Sequence, residues 1–231
     1  PGNVRRFDEK MVAEITRQFF LTLWNVYSFF VTYANIDNFV PESIAVAGKM
    51  ADLDRWLISE LNQLILDVDA ALAAYDPTEA GRKIEGFVDE LSNWYVRRSR
   101  RRFWKSENDA DKISAYTTLY HCLVTLSKLL APFIPYLAEE LYQNLVGSIF
   151  PEAPESVHLT DFPVADESKI DRQLTDDVST IGLVVTHRTK HAGLQAFTNS
   201  SNHVIVDTQS SRRITITIAF NEEFEGLDPI Q

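Results

Sequence analysis

Residues 91–105 read LSNWYVRRSRRRFWK, an apolar seam that turns into a cationic surface. On a helical wheel of about 100° per residue with Leu91 at zero, Ile84, Phe87, Val88, Leu91, Trp94 and Tyr95 fall within about 120°. That is one face for burial. Past Tyr95 the same face carries Arg98 and Arg102, while Arg97, Arg100 and Arg101 spread around the remaining circumference. A helix charged on all sides cannot be buried on all sides, so this end must leave the core or meet a partner.

Around that stretch the charge balance reverses. The chain of 231 residues carries a net −11 from 33 acidic and 22 basic residues. Residues 94–105 hold five Arg, one Lys and no acid, so everything outside them carries −17. A protein this acidic does not hold nucleic acid by diffuse attraction, whereas a concentrated cationic segment does so locally. The competing expectation is that the arginines pair with the chain's own surplus carboxylates, as charged helix faces commonly do. Two residue types favour RNA: Arg offers a planar fork for phosphate, and Trp104, at about 220° on the wheel, lies among the arginines.

Hydrophobic residues at 45% and aromatics at 11% are ample for a packed core, and 8 Gly suits long helices better than turn-rich sheet. Cys122 is the only cysteine, which excludes an internal disulfide and a cysteine-cluster zinc site and points to a reducing, cytoplasmic setting. No apolar run reaches the length of a membrane span, and no charged start precedes an apolar stretch in the manner of a signal peptide. The start at Pro1-Gly2-Asn3, without Met, suggests a piece of a longer chain.

Working outward, the periodicity predicts five helices. Asp8 caps the first, of about 28 residues, with apolar positions at three- and four-residue spacing from Met11 to Phe30; Asn35–Asn38 and Pro41 end it. The second starts near Ala51 or Asp52 and carries its seam from Leu53 to Leu72. Asp76-Pro77-Thr78-Glu79 is the cleanest cap, with Asp as N-cap, Pro as N1 and Glu closing a capping box. It opens the arginine-bearing third helix, which Ser106–Asp109 breaks. The fourth is seamed by Ile113, Tyr116, Leu119, Tyr120, Leu123, Val124 and Leu130, with Cys122 beside it as a small helix residue. Ala131–Pro135 kinks the chain into a fifth helix, Tyr136–Val146, with Gly147 as C-cap. Short links make neighbours antiparallel, so residues 1–150 are expected to form an up-and-down helical bundle. Residues 151–231 are expected to form a small α+β appendage. It comprises a Pro-punctuated crossing, a helix from about Lys169 to Thr186, and a hairpin of His203–Asp207 and Arg213–Phe220.

No phosphate-loop, dinucleotide-binding, nucleophile-elbow or zinc-protease motif occurs. His187 and His191 are four apart but lack a third ligand, so no metal site is expected. Glu139-Glu140 and Asp176-Asp177 are adjacent and point apart, and His158 has no identifiable partner. No catalytic constellation can be assembled.

LWNVYSFFVTYANIDNF (23–39), DRWLISELN (54–62), LSNWYVRRSRRRFW (91–104), LAPFIPYLAEELYQNL (130–145) and SVHLTDFP (156–163) together resemble the isoleucyl-tRNA synthetase family. They match the region following its catalytic core, over about Arg6 to Asp171. The APFIPYLAEELYQ element is shared more loosely among class I synthetases for aliphatic amino acids. The resemblance implies the anticodon-binding bundle, which grips the anticodon stem-loop of the isoleucine tRNA, with Arg97, Arg98, Arg100, Arg101, Arg102 and Lys105 near phosphates. Trp104 would stack on a base or cap the bundle. The family's ATP-binding signatures and editing domain have no counterpart here. The chain is therefore expected to bind tRNA as a monomer without catalysing, to hold no cofactor, and to partner the catalytic core, which uses ATP and Mg. Beyond Thr180 the match fades. Two alternatives stand beside this reading: a protein-interaction bundle with a structural arginine ion-pair network, and the equivalent domain of a valine- or leucine-specific synthetase.

Overall fold

The computed structural model describes residues 8–41, 50–104 and 110–178, together with the backbone of 194–198, 203–208 and 213–217. Asp8 caps helix α1, its carboxylate accepting from the Lys10 N–H. The helix runs through Glu9–Ile15, a widened turn at Thr16–Phe20, and Leu21–Asp37. At the widened turn the Leu21 N–H reaches back five residues to the Thr16 carbonyl instead of four. Asn38 closes α1 in the left-handed conformation at φ 52°, which a short amide side chain tolerates.

Helix α2, Asp52–Ala73, buries Trp56, Leu57, Leu61, Leu64, Ile65 and Val68 along one stripe, as the seam predicts. Helix α3 opens at Asp76, whose Oδ1 accepts from the Glu79 N–H at 3.0 Å, with Pro77 at the first position. It continues as Pro77–Glu90, a second widened turn at Leu91–Val96, and Arg97–Trp104. The predicted break at Ser106–Asp109 lies outside the described residues. Helix α4 is Ala110–Leu130, and α5 joins Pro135–Tyr142 to a third widened turn, Gln143–Gly147. Helices α2 to α5 pack in sequence order, α1 lies against α3 and α4, and all surround one apolar core, so the mainly helical up-and-down bundle is the observed fold.

Two local expectations are corrected. Ile113 is 45% exposed, while its neighbour Lys112 is buried, because Asp37 draws the ammonium inward and adjacent helix positions point about 100° apart. Gly147 is not a left-handed C-cap. The Ser148 N–H reaches back to the Gln143 carbonyl from a right-handed backbone, φ −76°, so the widened turn itself closes the helix.

Residues 151–170 pack on the bundle by specific bonds. Glu139 accepts from the Ser156 hydroxyl and the Val157 N–H, Tyr142 donates to the Pro154 carbonyl, and the Asp166 N–H donates to Asn62 Oδ1. The first compact unit accordingly extends to Ile170. In the second unit a helical stretch at 172–178 is capped by Asp171, which accepts from the Leu174 N–H. Lys169, the expected helix start, lies instead in a single tight turn, Glu167–Lys169. Strands β1 (Leu194–Thr198), β2 (His203–Thr208) and β3 (Arg213–Thr217) pair antiparallel in that order, Ala196 opposite Val206 and Val206 opposite Ile214. LQAFT lacks the alternation that marks the other two, so β1 has no signal in the sequence.

Candidate nucleic-acid interface

The widened turn at Leu91–Val96 decides which side chains reach solvent. At its end the Arg97 N–H bonds the Ser92 carbonyl, five residues back. One such turn inserts the equivalent of an extra residue, so every later position is rotated against a regular wheel. The buried positions run Leu91, Tyr95, Val96, Ser99 and Phe103. A regular helix would bury Leu91, Tyr95, Arg98 and Arg102. The apolar and small side chains thus slip into the core one position late.

Arg97 and Arg100 are exposed, and no ion pair among the described residues engages either. Arg101 is also exposed but interacts within the protein. Arg98 is half-buried with its guanidinium carbon 3.6 Å over the centroid of the Trp94 ring. Burial, and secondarily the neighbouring Arg97 charge, lower its pKa to about 10. Trp104 is 57% exposed beside these arginines, and Lys105 lies outside the described residues.

Arg102 points inward. Its Nη1 and Nη2 donate to the two carboxylate oxygens of Asp54 at 2.6 and 2.7 Å, and Nη2 also donates to the Asp111 carbonyl. Nε lies 2.9 Å from Asp111 Oδ1, close enough for ion pairing but without hydrogen-bond alignment. Asp54 is fully buried, and it also accepts from the Tyr95 hydroxyl and the Ser114 hydroxyl, each at 2.7 Å. Burial, reinforced by the Asp54 charge, pushes the Tyr95 phenol well above its ordinary value. Burial works to lower the Arg102 pKa, but the bonds to Asp54 outweigh it and the guanidinium is held firmly charged. Asp54 ties α2, α3 and α4 together. Its place in the first turn of α2 resembles an ordinary dipole-favoured acid, so sequence reasoning passes over it.

A second pair, of buried Lys112 and half-buried Asp37, closes α1 onto α4. Lys112 Nζ lies 2.6 Å from Asp37 Oδ2, and the Tyr116 hydroxyl donates to the same oxygen. Partial burial alone would raise the Asp37 pKa, but the bonds from Lys112 and Tyr116 prevail and lower it from 3.8. A lowered folded-state pKa contributes stability that is complete above the unfolded value and is lost as pH falls through the folded value. Asp37→Asn should therefore lower stability at neutral pH and flatten its dependence on pH below about 4, measured by urea unfolding across an acid series. An unchanged acid slope in the variant would remove Asp37 from that role.

Among the described residues no group of three or more His, Cys, Asp or Glu is placed to hold a metal ion, and no helix is long and apolar enough to cross a membrane. His187 and His191 lie outside the described residues. Cys122 is fully buried and its thiol is pushed well above the ordinary range by burial, in keeping with a packing residue.

A family model described as the anticodon-binding domain of tRNA ligase matches residues 54–195. An isoleucine–tRNA ligase of Dehalococcoides mccartyi (strain CBDB1) is 71% identical over 178 residues, covering 77% of this chain and 18% of that protein. The isoleucine–tRNA ligase of Thermus thermophilus is 51% identical over 186 residues, 80% of this chain and 18% of that protein. That of Porphyromonas gingivalis is 47% identical over 196 residues, 81% and 17% respectively. The chain spans less than a fifth of the length of these relatives.

Proposed function

The chain belongs to the anticodon-binding domain family of tRNA ligases, and on that premise we propose that it binds the anticodon stem-loop of an isoleucine-accepting tRNA. It positions that tRNA for ATP-dependent aminoacylation by a catalytic core that this chain lacks, and it acts in the cytoplasm as a monomer. The observation that carries the proposal is the outer face of α3. There Arg97 and Arg100 stand exposed with no carboxylate partner among the described residues, in a chain of net −11, with the Arg98–Trp94 stack and Trp104 beside them. Phosphate contacts from these arginines would fix register, while splayed anticodon bases carry identity. On this reading Arg102, bonded to buried Asp54, serves the fold rather than the RNA, as the ion-pair alternative would have it. The binding module takes in residues 1–150 and the crossing up to Ile170, because the crossing is hydrogen-bonded to α2 and α5. The remainder is read as the α+β appendage.

The test is binding to an isoleucine-accepting tRNA and to a mismatched tRNA across a salt series. Six phosphate contacts would give a slope of log affinity on log salt of about −4 to −5. Contacts from Arg97, Arg98 and Arg100 alone give roughly −2 to −3. The shallower slope with preference for the isoleucine species is the expected result. Preference for a valine or leucine tRNA would move the chain to that branch, and no binding at low salt would refute RNA recognition by this chain.

A further inference from the structure

Trp94 belongs to the apolar seam on a regular wheel, yet the widened turn leaves it only half-buried, with Arg98 lying on its ring. The indole Nε1 of Trp94 and the Nε of Arg98 are both shielded from solvent and make no hydrogen bond. No ion pair among the described residues engages the guanidinium, although the chain holds 33 acids. Among the described residues, stacking on Trp94 is the specific contact that orients this arginine. A guanidinium laid against an indole keeps its in-plane Nη donors free, aimed as a fork that fits a planar pair of acceptors. Arg97 is next in sequence and Arg100 follows, both exposed, so a polyanion lying along this face meets three cations in succession.

We infer that Trp94 is a positioning residue: it holds the Arg98 fork ready for one phosphodiester of the bound RNA strand. The inference rests on the tRNA-binding reading and adds to it a role for a side chain outside the cationic cluster. A flexible arginine must be immobilised when it binds. One already laid on an aromatic ring has lost that freedom before the RNA arrives. Relief of an unpaired, partly desolvated charge supplies a further drive, in line with the lowered Arg98 pKa.

A double-mutant cycle in the 231-residue chain tests this, reading tRNA affinity for the isoleucine-accepting and the mismatched species. Arg98→Ala should weaken both by the same factor, roughly ten- to a hundredfold, and make the salt slope shallower by about one. Arg98→Lys should keep the slope while losing most of that affinity, because it retains the charge but not the fork. Trp94→Leu should weaken binding roughly three- to thirtyfold, and Trp94→Phe should restore much of the loss. In the Arg98→Ala background Trp94→Leu should have no further effect. Equal effects of Trp94→Leu with and without Arg98 overturn the positioning role. A change in the ratio between the two tRNA species overturns the phosphodiester assignment. Failure of the wild-type chain to bind either tRNA refutes the underlying reading instead, and is distinguishable because it precedes any variant.

Discussion

Asp54→Ala should lower the free energy of unfolding by about 3–5 kcal/mol, the range for removing one partner of a buried ion pair. The carboxylate is fully buried and accepts four bonds, two from Arg102 and one each from Tyr95 and Ser114. Its loss leaves the Arg102 guanidinium, whose side chain is only 13% exposed, without its main counter-charge. It also leaves the Tyr95 hydroxyl without that acceptor. Arg102→Leu should be comparably destabilising, for then Asp54 is the stranded charge. The double variant Asp54→Leu/Arg102→Leu should recover much of the loss, because desolvating two ions opposes their attraction. Urea unfolding of the three variants measures this. A second readout separates fold from function: per folded molecule, Arg102→Leu should bind tRNA as the wild type does. A loss of affinity without a loss of stability would return Arg102 to the RNA surface.

Phe103→Ala should be of similar size, about 3–5 kcal/mol, whereas Trp104→Ala should change stability by less than about 0.5 kcal/mol. Phe103 is 1% exposed and meets Phe29 and Tyr116 edge-on, with ring centroids 5.1 and 4.8 Å apart. Tyr116 in turn stacks on Phe39 and meets Phe30. Removing the central ring opens a cavity among rings that are held by several helices and cannot all collapse into it. Trp104, one position on, is 57% exposed. The contrast between these adjacent aromatics tests the rotation imposed by the widened turn. Comparable losses at both positions would mean that the helix end is not set as described.

Much of the bundle is legible in the sequence because its signals are local. Asp76-Pro77-Thr78-Glu79 predicts the start of α3, and the structure provides the Asp76 half of that cap. The Asp76 N–H goes to the Ala71 carbonyl and the Glu79 carboxylate lies toward Arg82 and Lys83, so the expected box does not close. The seam of α2 is continuous, and its residues from Trp56 to Val68 are buried as spaced, with Leu53 and Leu72 at its ends half-buried. The Asn38 exit of α1 follows from the Asn-rich run that ends it. What local pattern does not carry is the register of α3 past Leu91. A regular wheel puts Arg98 and Arg102 on one face. The five-residue bond from Arg97 to Ser92 replaces that face with Ser99 and Phe103. Nothing in LSNWYV announces such a turn, since it is fixed by packing against other helices. For the same reason the division of the cationic cluster into exposed Arg97 and Arg100, stacked Arg98 and buried Arg102 was not readable. That division depends on Asp54, 48 residues from Arg102 in the chain. Ile113 illustrates the same limit, because burial of Lys112 is determined by Asp37 on another helix.

The widened turn in α3 also sets what kind of genetic change this helix can absorb. Exposed Arg97, Arg100 and Trp104 are open to substitution as far as folding is concerned, since none is packed in the core. Loss of one codon in Leu91–Val96, at exposed Asn93 for example, is absorbed as well. It takes out the extra residue that the widened turn accommodates, the helix closes with ordinary four-residue bonds, and Ser99 and Phe103 still reach the core. A codon gained there is a different event. Every side chain downstream would turn by about 100°, taking Phe103 out of the core and the Arg102 fork away from Asp54. The helix carries one residue more than its ordinary pitch needs, so the segment can shed a residue but not take one on.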